Sequence, residues 1–176
     1  MRRWRTAETT TVFNHPLIQV QQRQLAAGED RRQALVLESQ PWVNVIPLLP
    51  DGRVLLVRQW RFGIEAPTLE IPGGVLDPGE DDHTGAAREL LEETGYRAHQ
   101  WRRLGEVHAN PAILNNRVST WLATDLEQMG EPEGDGEEEL ELTSAPLAEI
   151  PGLIARGEIS HSLVVAAFYL LGIAER

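Results

Sequence analysis

The chain has 176 residues, of which 41% are hydrophobic, and its formal net charge is -11. A chain of this length can bury one full core, so we expect a single globular domain with at most a small appendage. Because cysteine is absent, the sequence excludes a disulfide framework, a thiolate zinc site and a cysteine nucleophile; a bound metal would need oxygen or imidazole ligands.

The acidic residues are concentrated in two segments. Residues 74–96 carry seven acids and one arginine, and residues 131–141 carry seven acids and no base, so the rest of the chain has a net charge of +2. All sixteen basic residues are arginine. The lack of lysine excludes a P-loop and Schiff-base catalysis.

No targeting segment is evident in the sequence. The basic residues Met1–Arg5 are not followed by an apolar stretch, and no run approaches the roughly 18 apolar residues of a membrane-spanning helix. We therefore expect a cytoplasmic protein without a membrane partner. No basic stripe lies outside the acidic segments, which argues against a nucleic-acid partner.

Strands dominate the first part of the chain. Residues 13–38 are expected to form two strands around a turn at Gly28–Asp30, within an N-terminal β appendage that covers residues 1–38. Residues 42–49 and 53–62 are predicted to pair as a hairpin through the turn Pro-Asp-Gly. The main domain would then occupy residues 39–176.

One acidic helix and a mixed set of elements follow. The helix is predicted at 82–94, with Asp81 or Asp82 as its N-cap and Gly95 as its stop. The remaining predicted elements are strands at 101–109 and 117–124, a short helix at 147–155 interrupted near Pro151, and an apolar helix at 160–173 capped by Ser160. A mixed sheet flanked by helices, an α/β fold, is the architecture that this order favours.

The acidic helix brings several carboxylates together. Glu89, Glu92 and Glu93 are spaced to project from one face, and Arg88 can reach Glu92 one turn on. Three carboxylates on one face destabilise an isolated helix, and Mg²⁺ or Mn²⁺ would remove that repulsion. A solvated charged face is the alternative.

The spacing matches a known signature. The fixed positions are occupied by Gly74, Glu80, Arg88-Glu89-Leu90, Glu92-Glu93 and Gly95-Tyr96. This box resembles that of the Nudix hydrolases. The resemblance implies the Nudix α/β/α sandwich and a Mg²⁺-dependent hydrolase, with Mn²⁺ as the other candidate metal, that cleaves a nucleoside diphosphate linked to another group.

The resemblance also implies site roles. The metal ligands would be Glu89 and Glu93, with Glu92 as a further ligand or support, and the backbone oxygen of Gly73. Arg88 would orient the glutamates and belongs with Glu92 to the predicted catalytic set. Glu80 would be a loop carboxylate near the metals.

Features outside the box resemble one branch of the family, which cleaves ADP-ribose and nucleoside diphosphate sugars to a nucleoside monophosphate and a sugar phosphate. These features are the stretches "LEIPGGVLDPGE", "VRQWRFG" and "NPAILNNR", and Pro111 at fifteen residues after Tyr96. Hydrolysis of nucleoside triphosphates and non-catalytic sensing of a nucleotide sugar remain alternatives.

Several residues are candidates for substrate contact. Arg61 and, second, Arg58 are expected to share one strand face and to bind phosphate. Glu70 resembles a contact to a substrate hydroxyl. Trp42 and Trp60 would stack on a base or belong to the core. Asn115, Asn116 and Arg117 would bind sugar or phosphate, or else form a turn and begin a strand.

Two further expectations follow from the resemblance. A glutamate of the acidic segment after the box is expected to be catalytic, with Glu138 as the first choice and Glu137 or Glu139 as the second, unless the segment is simply an acidic loop. The branch often completes its base site with a second subunit. We therefore expect a homodimer formed by the N-terminal appendage.

Overall fold

The computed structural model describes residues 1–132 and 140–174. Three antiparallel strands, β1 to β3, form the first sheet. They are Arg5–His15, Ile18–Ala27 and Asp30–Glu38. The turn predicted at Gly28–Asp30 is confirmed, and Gly28 has the positive φ of 67° that a tight turn requires. Strand β1 was not predicted over its full length. It is exposed throughout and is held by backbone pairing with β2, so its sequence shows no apolar alternation.

The described chain divides into two compact units. The first comprises Met1–Pro41 and His108–Arg117, and the second comprises Trp42–Val107 and Val118 onwards. In the first unit, an isolated bridge joins Leu37 to Leu114. The boundary expected after residue 38 stays a prediction.

Seven strands form two sheets in the described residues from Trp42 onwards. They are β4 Trp42–Pro47, β5 Arg53–Arg61, β6 Ala66–Glu70, β7 Gly73–Val75, β8 Tyr96–His108, β9 Arg117–Gln128 and β10 Glu141–Pro146. One sheet has the order β7-β4-β9-β8 and the other β10-β5-β6. Strands β4 and β9 are parallel whereas β4 and β7 are antiparallel, so the larger sheet is mixed.

The predicted hairpin of β4 and β5 is wrong. The turn exists, because Gly52 N–H donates to the Leu49 carbonyl over 3.0 Å, but only an isolated bridge between Leu48 and Val54 joins the two segments. Strand β4 pairs instead with β7 and β9, and β5 pairs with β6 and β10. Both edges of each strand are therefore occupied by longer-range partners that short-range turn patterns do not reveal.

Three α-helices complete the fold of the described residues: α1 Asp82–Thr94, α2 Ile150–Ala155 and α3 Ser162–Ala174. Asp81 caps α1 by accepting hydrogen bonds from the backbone N–H groups of His83 and Thr84. A 3₁₀ turn at Leu147–Glu149 precedes α2. The change from 3₁₀ to α geometry corresponds to the interruption predicted near Pro151. Helix α3 begins two residues after Ser160, so the predicted cap at Ser160 is wrong.

Strand β4 separates two hydrophobic clusters. Val43 and Val45 pack on one side with Ala86 and Leu90 of α1, and Ile46 packs on the other with residues of α2 and α3. Successive side chains of a strand point to opposite faces, so the sheets of this unit have helices on both sides. No helix within residues 1–132 and 140–174 has the length and apolar composition to cross a membrane.

Gly95 is expected to tolerate substitution less well than other turn glycines. It has a φ of 72°, and a Cβ there would lie 2.3 Å from the Gly130 carbonyl oxygen. Gly52 has a φ of 81° but open space around it, which makes it a matched control. We expect Gly52→Ala to lower the free energy of unfolding by about 1 kcal/mol and Gly95→Ala by about 3 kcal/mol in urea titrations. Equal losses in the two variants would contradict a steric contribution.

Candidate functional site

The glutamates of α1 fall into two environments. Glu89 and Glu93 are one turn apart, and each is only 8% exposed. Glu92 lies at the rim of the helix, where its side chain is 46% exposed. The expected common face is therefore split, because the sheet covers the side of the helix that Glu89 and Glu93 share.

Arg88 connects three carboxylates. Its guanidinium forms ion pairs with Glu80 at 3.0 Å, with Glu89 at 2.8 Å and with Glu92 at 3.0 Å. It also donates to the Val75 carbonyl at 3.2 Å. The expected pair with Glu92 is thus present. The pKa of Arg88 is raised, first by its hydrogen bond to Glu80, so the guanidinium stays charged.

Burial raises the pKa of Glu89, although Arg88 opposes the shift. A carboxylate whose charge is desolvated in this way is stabilised by any additional positive charge that reaches it. The buried side of α1 is therefore a place where a cation would be favoured.

The glycine pair lies directly against the two buried carboxylates. Gly73 N–H donates to Glu93 over 3.1 Å. A Cβ on Gly74 would lie 2.5 Å from Glu89 Oε1, and one on Gly73 would lie 2.2 Å from the Val43 carbonyl oxygen. Only residues without side chains allow the backbone this close to the carboxylates.

The donor set fits a hard divalent cation. Within residues 1–132 and 140–174, no three acidic or histidine side chains are arranged to hold an ion. Mg²⁺ is typically bound through one or two carboxylates, with water and substrate phosphates completing its shell. Two buried carboxylates beside a glycine backbone fit this chemistry, and Glu89, Glu93 and the backbone oxygen of Gly73 stay the predicted ligands.

A cavity of about 800 Å³ lies in the second unit and reaches the glycine pair. Gly73 and Gly74 contribute to its wall, as do residues of β4, β5, β6 and the start of α3. The cavity is therefore continuous with the backbone that contacts Glu89 and Glu93. Its volume falls in the range of about 300–1,000 Å³ typical of small-molecule sites.

Arg61 and Glu70, two predicted substrate contacts, bind each other in this cavity. Arg61 Nε donates to Glu70 Oε1 over 2.8 Å and its NH2 donates to Oε2 over 2.9 Å, while the Thr68 hydroxyl donates to Oε1 over 2.6 Å. Burial raises the pKa of Glu70, but these hydrogen bonds outweigh it, so the pKa lies below its ordinary value. Glu70 is therefore held ionised and buried, whereas the Arg61 side chain is 37% exposed.

Arg58 does not share a face with Arg61. Arg58 and Trp60 are exposed on one face of β5, whereas Gln59 is buried and shares its face with Arg61. Residues three apart in a strand point in opposite directions, so the expected common face is wrong. Arg58 lies 3.8 Å from Glu141 and outside the residues that line the cavity.

Two tryptophans contribute to the wall of the cavity. Trp42 and Trp60 line it, and Trp60 is half exposed. Sequence reasoning missed other lining residues, among them Phe62, Ile64, Ser160, His161 and Ser162. Nothing in the sequence marks residues 160–162 as site residues, because their pattern predicts only the start of a helix.

Asn115, Asn116 and Arg117 belong to the first unit. The Asn115 side chain accepts from Ser39 N–H over 3.2 Å, and Arg117 begins β9, as the turn-and-strand alternative predicts. Asn116 is buried, and its amide has no hydrogen-bond partner among the described residues. Substrate contact by these three residues stays a prediction. Glu137, Glu138 and Glu139 lie outside the described residues.

Comparison with known proteins agrees with this arrangement. The NUDIX domain model matches residues 38–168. An ADP-ribose pyrophosphatase of Mycobacterium tuberculosis is 35% identical over 126 residues, which are 70% of this chain and 61% of that protein. An ADP-ribose pyrophosphatase of Bacillus subtilis is 30% identical over 134 residues, 76% of this chain and 72% of that protein. The crystal structure of an ADP compounds hydrolase superposes with a TM-score of 0.84 at 26% identity, covering 97% of this chain and 93% of that one.

Helices lie on both sides of a mixed sheet, and a helix rich in glutamates lies beside a glycine pair. This arrangement defines a class of hydrolase with an α/β/α sandwich. The chain belongs to the Nudix hydrolase family, which confirms the family and the fold that the box predicts. Members of this family typically depend on a divalent metal. The chain spans less than two thirds of the length of the mycobacterial relative.

The Arg61–Glu70 pair should make the stability of the protein depend on pH. A carboxyl whose pKa is lowered on folding contributes stability above its unfolded pKa, and this contribution is lost as pH falls through its folded pKa. We expect Glu70→Gln to cost about 2 kcal/mol at pH 7 and clearly less at pH 3 in urea titrations. Glu141→Gln, which removes the exposed partner of Arg58, should cost less than about 0.5 kcal/mol at both pH values. A loss for Glu70→Gln that does not change with pH would refute the ionised pair.

Proposed function

We propose that this protein hydrolyses the pyrophosphate bond of ADP-ribose or a related nucleoside diphosphate sugar, releasing a nucleoside monophosphate and a sugar phosphate. One observation carries the proposal: Gly73 and Gly74 contact the buried carboxylates of Glu93 and Glu89 and also line the cavity. A pyrophosphate near the glycine pair would thus meet the carboxylates while the rest of the ligand fills the cavity. The names of the two bacterial relatives support the choice of ADP-ribose.

The metal would be held by Glu89, Glu93 and the backbone oxygen of Gly73, with Glu92 as a further ligand or support. When bound, Mg²⁺ or Mn²⁺ would neutralise the pyrophosphate and make a bound water more acidic. Arg88 would hold Glu89 and Glu92 in place through its ion pairs.

The remaining residues would bind substrate and move the proton. Arg61 would contact phosphate through its guanidinium, and Glu70 would accept from a hydroxyl. Trp42 and Trp60 would stack on the base. In the reaction, water oxygen adds to phosphorus, the bridging oxygen leaves, and a carboxylate takes the water proton. Glu138 is our candidate for that carboxylate.

A substrate panel tests the proposal. We expect Mg²⁺-dependent release of AMP from ADP-ribose, faster than hydrolysis of ADP-glucose, GDP-mannose, UDP-glucose or deoxynucleoside triphosphates, and no activity in excess EDTA. Glu93→Gln should lower kcat by about 100-fold or more, because it removes a charge held against the metal. The exposed Glu149→Gln is the control and should match the wild type.

Each alternative has its own outcome in this panel. Hydrolysis confined to the deoxynucleoside triphosphates would indicate a nucleoside triphosphate hydrolase that cleans the nucleotide pool, and would exclude a nucleotide sugar as the substrate. Binding of ADP-ribose without any product would indicate a sensor. Full activity in excess EDTA would exclude the metal site.

We also propose that residues 1–38 form an appendage that assembles a homodimer. Its three-stranded sheet exposes several large apolar side chains, which are Val12, Phe13, Leu17 and Leu35, each more than half exposed. Large apolar side chains left exposed in one small sheet could supply an interaction surface.

Charge at this surface should separate the subunits. We expect the double variant Phe13→Asp, Leu35→Asp to elute as a monomer in size-exclusion chromatography with light scattering, because two desolvated carboxylates oppose association. Tyr169→Asp, which places the same charge at an exposed aromatic residue of α3, should leave the dimer intact. A wild-type monomer would disprove the homodimer.

A further inference from the structure

His161 lies in the cavity wall and has no role in the function proposed above. It lines the cavity together with Glu70, Arg61 and the flanking Ser160 and Ser162. Its Nδ1 is buried and has no hydrogen-bond partner among residues 1–132 and 140–174. A buried polar atom of this kind needs a physical explanation.

The environment of Nδ1 decides the tautomer of the neutral ring. A buried N–H without an acceptor costs about 1–3 kcal/mol, and buried donors lack partners less often than buried acceptors do. A neutral imidazole carries its proton on one nitrogen and has a lone pair on the other. The proton is therefore favoured on Nε2, the nitrogen that is not sealed in the wall.

The backbone holds this donor in a fixed position. The His161 carbonyl accepts from Val165 N–H over 3.1 Å and so begins the hydrogen-bond ladder of α3. Two residues on, the Leu163 carbonyl accepts from the Asn44 side chain over 3.3 Å, which ties the start of α3 to β4. The imidazole is thus presented by an anchored segment.

Glu70 supplies the complementary group. A carboxylate has about four acceptor sites, and Arg61 and Thr68 fill three of them, leaving a site on Oε2. His161 and Glu70 both line this cavity. The Glu70 carboxylate would repel a phosphate oxygen placed beside it. A hydroxyl, in contrast, can donate to Glu70 and accept from His161.

We propose that His161 is a specificity-determining residue whose Nε2–H donates to a sugar hydroxyl of the substrate, while Glu70 accepts a hydrogen bond from a hydroxyl of the same sugar. This inference rests on the proposed function, because the hydroxyl belongs to the nucleotide sugar. It assigns His161 and Glu70 to the sugar, while Arg61 keeps its proposed contact to phosphate.

Two substitutions of His161 separate the donor from the rest of the ring. The amide nitrogen of Gln can replace Nε2, whereas that of Asn corresponds to Nδ1. With ADP-ribose and Mg²⁺, we expect His161→Asn to raise KM by about 3- to 10-fold with kcat within about twofold of wild type, and His161→Gln to restore KM to within about twofold. His99→Asn, at an exposed histidine outside the cavity, should change neither constant.

The outcomes distinguish this inference from the proposed function. An unchanged KM in His161→Asn, or an equal rise in both variants, overturns the donor role while wild-type hydrolysis of ADP-ribose still supports the function. If the wild type hydrolyses no ADP-ribose, calorimetric Kd values for ADP-ribose replace KM, and the same order of the variants supports the donor. Absence of ADP-ribose binding overturns both.

Discussion

The repulsion between carboxylates around α1 is the constraint on which the site depends. Glu89 and Glu93 are buried, and Glu80 and Glu92 stand close by. Burying a carboxylate is costly unless it is paired or hydrogen-bonded. Arg88 forms ion pairs with three of these carboxylates, and the N–H of Gly73 donates to the fourth. The family box can thus be understood as one arrangement that gives each of four crowded glutamates a donor at the edge of a core.

The position of the glycine pair joins this arrangement to the cavity. Strand β7 pairs with β4, whose residues alternate between the cluster under α1 and the cluster under α2 and α3. The backbone at Gly73 and Gly74 therefore has α1 carboxylates on one side and open space on the other. A side chain at Gly74 would occupy the space of the Glu89 carboxylate.

Two oppositely charged residues of the cavity wall bind each other. The Arg61 guanidinium donates to both oxygens of Glu70, and the Thr68 hydroxyl donates to one of them. Each fixes the other in place, so neither has to be ordered when the ligand binds.

Local patterns in the sequence determined α1 with its cap and stop, most strands, and the family through the spacing of the box. Those features depend on residues a few positions apart, where helix and strand periods act. The tertiary structure decided the partners of β4 and β5, the separation of Glu92 from Glu89 and Glu93, the pairing of Arg61 with Glu70, and the presence of His161 in the cavity wall. The partners of β4 and β5 and the place of His161 join segments far apart in the chain, so only the packed fold could bring them together. The separation of Glu92 depends on the sheet that covers one side of α1, and the Arg61–Glu70 pair depends on the register between β5 and β6.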